Sequence, residues 1–243
     1  MILVSNSFNG GTSSVDITSA NSGEPSGTAF SSVATSLATL KYSTIVRTDG
    51  GTLSAAHVSS ADNGVSLYKY TGLIATADTL YVRLYIYVTT FPPSGRITLL
   101  FFQGSTGQGG MIALESTGQI KVYDKTGTLF NTSSMALSSA SWYRLEVKHL
   151  QHASAGTLDC HIYSSYEGTT IAETVSGTAM NNHSGVINEL HIGSVVYFGV
   201  GSTYNFNTDD VAVGTNEWIG PVNLLNAPLS KNKFFNPQAV YRM

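Results

Sequence analysis

Between residues 81 and 87 three tyrosines and one arginine recur at every second position: Tyr81, Arg83, Tyr85 and Tyr87. On an extended strand they share one face, where rings can stack on sugar faces and a guanidinium offers donors in a fixed fork. They are the leading candidates for ligand binding; tyrosines that merely cover a sheet are the alternative. Groups for covalent or acid–base chemistry are harder to find. Retaining glycoside hydrolysis needs two carboxyl groups about 5–5.5 Å apart, and Glu146 has no carboxylate two or three residues away. Asp209-Asp210 is the one adjacent acidic pair, and strand neighbours point to opposite faces, so at most one enters a given pocket. His149-x-x-His152 is not a zinc spacing on a strand, and no carboxylate completes it. Cys160 sits among apolar residues, where thiols are inert. No serine has the Gly-x-Ser-x-Gly setting, and Gly107-Gln-Gly-Gly lacks the lysine of a phosphate loop. The expectation is a chain that is not an enzyme, with no catalytic residues.

These side chains must be positioned by strands, because period-two alternation recurs and helical periodicity is nearly absent. Val82, Leu84, Ile86 and Val88 form the apolar complement of the tyrosine face. Pro92-Pro93-Ser94-Gly95 then turns the chain into an apolar strand over Ile97–Gln103, followed by a glycine-rich loop over Gly104–Gly110. Ser116-Thr117-Gly118 reads as a three-residue hairpin loop that sets Leu114 against Ile120 and Ile112 against Val122. A second hairpin joins Trp142–Leu150 to Thr157–Tyr163. Pairing Leu150 with Thr157 places Lys148 opposite Asp159 and Glu146 opposite His161 on one face. The other face then holds Val147 with Cys160 and Leu145 with Ile162, so both faces sort at once. Further strands are expected at Met1–Phe8, Thr28–Val33, Ser43–Arg47, Val65–Tyr70, Asn188–Ile192, Val195–Val200 and Phe206–Val213. Many short strands without helical partners imply an all-β antiparallel sandwich or jelly roll over residues 1–218. From 219 to 243 the pattern dissolves into an extended C-terminal arm.

Of the 243 residues, 42% are hydrophobic and only 11% charged, against roughly 25% charged in an average soluble domain. A net charge of −3 gives no general attraction to nucleic acid or an anionic membrane, and neither partner is expected. No acidic residue follows Glu217, whereas Lys231, Lys233 and Arg242 do. A basic arm with Phe234, Phe235 and Tyr241 could dock on a partner protein or fold back on its own acidic body. One cysteine excludes an internal disulfide framework. The first residues lack the basic and apolar regions of a secretory signal, and no apolar stretch approaches the roughly 18 residues of a membrane helix.

Gln119-Ile-Lys-Val-Tyr, Ser141-Trp-Tyr-Arg-Leu-Glu-Val-Lys and Phe206-Asn-Thr-Asp-Asp-Val-Ala-Val resemble segments of the laminin-G-like, concanavalin A-like lectin/glucanase superfamily. Ser7-Phe8-Asn9-Gly10 and Ala20-Asn21-Ser22-Gly23 fit its first strands. The resemblance spans roughly residues 5 to 220. It implies a concanavalin A-like jelly roll. Glucan-cleaving members carry Glu-x-Asp-x-x-Glu on one strand, and no Glu-x-Asp occurs here. Lectins of this kind sometimes hold calcium; Asp209 or Asp210 with carbonyls of Asn205 or Asn207 would be the ligands, and an aspartate bonding backbone amides is the alternative. Asp209-Asp210-Val-Ala-Val-Gly with Trp218-Ile-Gly-Pro is similar to jelly-roll domains of bacteriophage virion proteins. That likeness implies a non-enzymatic virion component, in a tail, a fibre or a capsid decoration. Its partners would be other virion proteins and further copies of itself, with cell-surface glycan as a possible ligand. A carbohydrate-binding lectin-like module is the alternative.

Overall fold

A computed structural model of the chain describes residues 1–48, 51–73, 79–182, 185–195 and 203–222. The described residues build two antiparallel sheets stacked as a sandwich. Sheet A runs in the order β13 (Glu173–Met180), β12 (Gly156–Tyr163), β11 (Trp142–Leu150), β6 (Thr79–Thr90), β15 (Tyr204–Gly214), β4 (Ser54–Ser59) and β3 (Ala38–Ser43). The strand β1 (Ile2–Asn6) pairs with the far half of β15. Sheet B runs β10 (Leu129–Ala136), β9 (Gln119–Tyr123), β8 (Gly107–Glu115), β7 (Arg96–Gly104), β14 (Ile187–Val195), β5 (Val65–Thr71) and β2 (Ser32–Ser36).

Side-chain alternation explains the layering. The even-numbered residues of β6 from Val82 to Val88 are buried between the sheets with Leu145 and Val147 of β11 and Ile112 and Leu114 of β8. On the far side of sheet B a smaller apolar cluster gathers Leu67, Phe101, Met111 and Ala113. The β11–β12 hairpin has the register that the sequence demands, with Leu150 opposite Thr157, Glu146 opposite His161 and Val147 opposite Cys160. The β8–β9 hairpin pairs Leu114 with Ile120 and Ile112 with Val122, also as read.

Several expected elements differ. Gly104–Gly110 is not a loop: β8 starts at Gly107, and only residues 105 and 106 turn the chain. A Cβ on Gly109 would lie 2.9 Å from the Phe102 carbonyl oxygen, and one on Gly110 2.9 Å from Leu158, so these glycines permit close strand packing. Ser43–Arg47 is mostly loop after β3, and the strand sought at Thr28–Val33 lies over Ser32–Ser36. Strands β3, β4, β10 and β13 are not among the expected elements. Residues 196–200 of the expected Val195–Val200 strand lie outside the described residues.

A polar network built on a histidine interrupts the core. His57 of β4 is fully buried, its Nδ1 2.9 Å from the Ser66 carbonyl oxygen and its Nε2 3.1 Å from Thr208 Oγ1. Tyr68 and Tyr204 extend this network through their hydroxyls to Thr208 and Ser66. Burial pulls the His57 pKa down to about 4, so the ring is neutral at pH 7.

Candidate functional site

The outer face of sheet A, turned away from sheet B, gathers most of the residues that could do chemistry. Tyr81, Arg83, Tyr85 and Tyr87 lie on it at alternate positions of β6, as expected. They are not equally open. Tyr81 and Tyr87 are half-buried at the two ends, whereas Tyr85 and Arg83 are covered, with 0% and 3% of their surface exposed. Tyr87 lies six positions beyond Tyr81, a span of about 20 Å at roughly 3.3 Å per residue. Aromatic partners from other strands extend both ends. Tyr87 packs on Trp142 of β11 at 5.4 Å between ring centroids, and Tyr81 meets Trp218 edge-on at 5.5 Å. Trp218 also stacks on His161 of β12 at 3.8 Å.

The centre of the face is charged. Asp209 and Asp210 both turn their carboxylates to Arg47, whose Nε lies 3.2 Å from Asp209 Oδ2 and whose Nη2 donates to Asp210. This was not expected of strand neighbours. A bulge explains it: between Asp209 and Ala212 the pairing with β6 advances three residues against two, and Asp210 takes a left-handed φ of 41°. The bulge sits where β15 exchanges its partner β4 for β1. Arg47 reaches it from the β3–β4 loop, and its Nη1 donates to Glu167 Oε1 in the β12–β13 loop at 2.9 Å. The guanidinium also lies 3.9 Å above the Tyr85 ring. Burial and then the Asp210 charge hold the Asp209 pKa well above the ordinary aspartate range, against the pull of Arg47. A carboxyl whose proton affinity is raised beside two further carboxylates and a guanidinium is an arrangement that acid–base chemistry uses.

Beside this centre lie Arg144 and Glu146 of β11. Arg144 donates through Nη1 to the Tyr166 carbonyl and through Nη2 to that of Gly168, and its guanidinium covers the Tyr163 ring at 3.8 Å. Its Nε is 2.8 Å from Glu146 Oε1, a charge contact without hydrogen-bond alignment. Glu146 is 1% exposed, and neither of its oxygens accepts a hydrogen bond. Arg83 donates from Nε to the Asp210 carbonyl and from Nη1 to that of Gly220. The Tyr85 hydroxyl accepts from the Val222 amide at 3.1 Å, and burial raises its pKa to about 12.

The remaining candidates are dispersed. Cys160 is buried against Val147, and burial raises its thiol pKa. His149 is buried and stacked on Phe102 at 4.5 Å, with its pKa pulled down to about 3 by burial. His152 instead accepts from the amides of Ser154 and Ala155. Between Asp209 and Asp210 the positive charge is supplied by Arg47, and no group of three or more His, Cys, Asp or Glu among the described residues is arranged for a metal ion. Lys231, Lys233, Phe234, Phe235 and Tyr241 lie outside the described residues. Sequence reasoning missed Arg47, Glu167, Tyr166 and Arg144. The available signal was scarcity: three of only five arginines in a weakly charged chain meet on this face.

No protein-family model matches the chain, and no curated protein matches it in sequence. Solved structures do match. The carbohydrate esterase of the Shiga toxin-encoding bacteriophage phi24B superposes with a TM-score of 0.54 at 14% identity, covering 89% of this chain and 99% of that one. The alginate lyase vAL-1 from Chlorella virus gives 0.53 at 10% identity over 73% of this chain and 90% of its own. The cellulose-induced protein Cip1 gives 0.53 at 14% identity, over 76% and 91%. The expectation of a non-enzyme is therefore corrected. A lyase and an esterase share this architecture, and acids from distant segments meet here around one arginine, which a search for carboxylates on a single strand cannot see. At these identities the likeness is one of fold, and the fold is an antiparallel β-sandwich jelly roll.

Proposed function

We propose that this chain is a component of a bacteriophage particle whose jelly roll holds carbohydrate on the outer face of sheet A. The observation that carries the reading is the row of aromatic rings along that face, Tyr87 packed on Trp142 at one end and Tyr81 at the other, about 20 Å apart along β6. The half-buried rings of Tyr81 and Tyr87 suit an extended oligosaccharide, whose apolar ring faces stack on them. Structural neighbours named for carbohydrate substrates, one of them from a bacteriophage, support the same reading. Attachment to the particle is assigned to the C-terminal arm, with Lys231, Lys233, Phe234, Phe235 and Tyr241 as its contacts.

A glycan array probed with the wild-type protein and with Tyr87→Ala and Trp142→Ala tests the carbohydrate part. Binding to a defined set of glycans, weakened about tenfold or more in both variants, supports it. An array that stays silent rejects it. Incubating any bound glycan with the protein and measuring new reducing ends shows whether cleavage follows binding. Removal of residues 226–243 is expected to prevent incorporation into particles, and unchanged incorporation rejects the assignment of the arm.

A further inference from the structure

Trp218–Val222 crosses the outer face of sheet A without joining a strand. Its contacts follow a distinctive order. The Trp218 indole lies flat on His161, 3.8 Å between centroids at 20°. The Gly220 carbonyl accepts from Arg83 Nη1 at 3.1 Å, and the Val222 amide donates to the Tyr85 hydroxyl at 3.1 Å. One apolar ring face, one acceptor and one donor, presented in sequence to an imidazole, a guanidinium and a phenol, is also what a sugar ring presents.

The segment leaves one part of the floor unsatisfied. Both Glu146 oxygens and His161 Nδ1 are buried without a hydrogen-bond partner, Oε1 having only its 2.8 Å charge contact with Arg144 Nε. They are close neighbours, since Glu146 pairs with His161 across β11–β12 and with Arg83 across β11–β6. Buried polar atoms of a native protein are nearly always paired, so a concentration of unpaired ones marks a place where a polar ligand belongs. A carboxylate with neither oxygen hydrogen-bonded, and one of them in ion contact with an arginine, still has lone pairs for two adjacent hydroxyl donors. Space adjoins the segment: a cavity of about 240 Å³ is bounded by Arg83, Asp210, Ala212 and Val222.

We propose that Trp218–Val222 is a displaceable strap seated in a sugar subsite, and that a sugar with a vicinal diol replaces it, donating a hydrogen bond from each of its two hydroxyls to Glu146. The strap mimics the contacts of the ligand with His161, Arg83 and Tyr85, while only the ligand satisfies Glu146. Strap and sugar therefore compete, and the sugar holds the advantage of the extra hydrogen bonds.

This inference rests on the carbohydrate reading above, and the test separates the two. A panel of neutral hexasaccharides (maltohexaose, cellohexaose, mannohexaose) is titrated into the full chain and into Trp218→Ala, Glu146→Gln and Tyr87→Ala. Loosening the strap in Trp218→Ala should tighten binding about fivefold or more, and Glu146→Gln should weaken it about tenfold. Amide hydrogen exchange on the unmodified chain gives a readout that no misfolded variant can confuse. Saturating hexasaccharide should raise exchange at Val222, as the Tyr85 hydroxyl releases it. Binding that depends on Tyr87, with Val222 exchange unchanged or slowed and Glu146→Gln neutral, overturns the strap while leaving the carbohydrate reading intact. Absence of binding by both the wild type and Trp218→Ala overturns both.

Discussion

Arg47 Nε and Asp209 Oδ2 meet at 3.2 Å across 162 residues of chain, and both side chains are buried. Removing one partner of a buried pair leaves the other charge uncompensated, at a cost of about 3–5 kcal/mol. Arg47 also pairs with Asp210 and Glu167, so its loss takes a cation away from three acids. Arg47→Ala should therefore lower stability in urea unfolding by about 3 kcal/mol or more. Adding Asp209→Asn and Asp210→Asn should recover a large part of that loss. Additive effects of the three substitutions would argue against a shared cluster.

Acid should act on the buried histidines and on Asp209 in opposite ways. The folded pKa of His57 is about 4 and that of His149 about 3, both below the ordinary histidine value of 6.5. The unfolded chain therefore binds protons more readily than the folded one as pH falls below about 6.5, and stability declines towards pH 4. On its own His57 accounts for a loss on the order of 3 kcal/mol across that window. Asp209 has the opposite sign. Its folded pKa is raised, so its contribution is full below the unfolded value of about 3.8 and is lost as pH rises through the folded one. Asp209→Asn should accordingly be at least as stable as the wild type at pH 8 and relatively less favoured near pH 4. Melting temperatures of wild type, His57→Gln and Asp209→Asn measured from pH 4 to pH 8 check both signs.

How far the fold could be read from the residues depended on where each strand lies. The β11–β12 register was legible because Val147 with Cys160 and Lys148 with Asp159 place apolar and charged pairs on opposite faces, and a one-residue slip would exchange them. The edge strand β10 gives no such signal, since of its eight residues only Ser133 is buried. In β4 the core positions carry His57 and small residues, so the apolar alternation is lost there. The site was half legible for the same reason. Tyr81 to Tyr87 share a face by alternation alone, whereas the meeting of Arg47, Glu167 and Asp209 depends on two loops and a bulge, and none of these leaves a period in the sequence.

Backbone proximity at the buried histidine gives a sharp test of the core. Gly193 of β14 has φ 112°, and a Cβ there would stand 2.4 Å from the Ser66 carbonyl oxygen and 2.6 Å from His57 Cε1. Both strain and overlap oppose any side chain. Gly193→Ala should destabilise the protein by about 2 kcal/mol or more. A neutral effect in denaturant unfolding would mean that β14 does not approach β4 so closely.

The single thiol reports on the same core. Cys160 is fully buried and its pKa is raised, so little thiolate is present or accessible in the folded state. A disulfide reagent at pH 8 should leave it unmodified until denaturant is added, with one thiol then released per chain. Rapid labelling of the native protein would contradict the packing of β12.

The most direct test of the carbohydrate account is to map amide chemical shifts during titration with an oligosaccharide selected on the array. The account predicts that perturbations concentrate on Tyr81, Tyr87, Trp142 and His161 of the outer face of sheet A. Perturbations gathered instead on the far face of sheet B, around Met111 and Ala113, would contradict it.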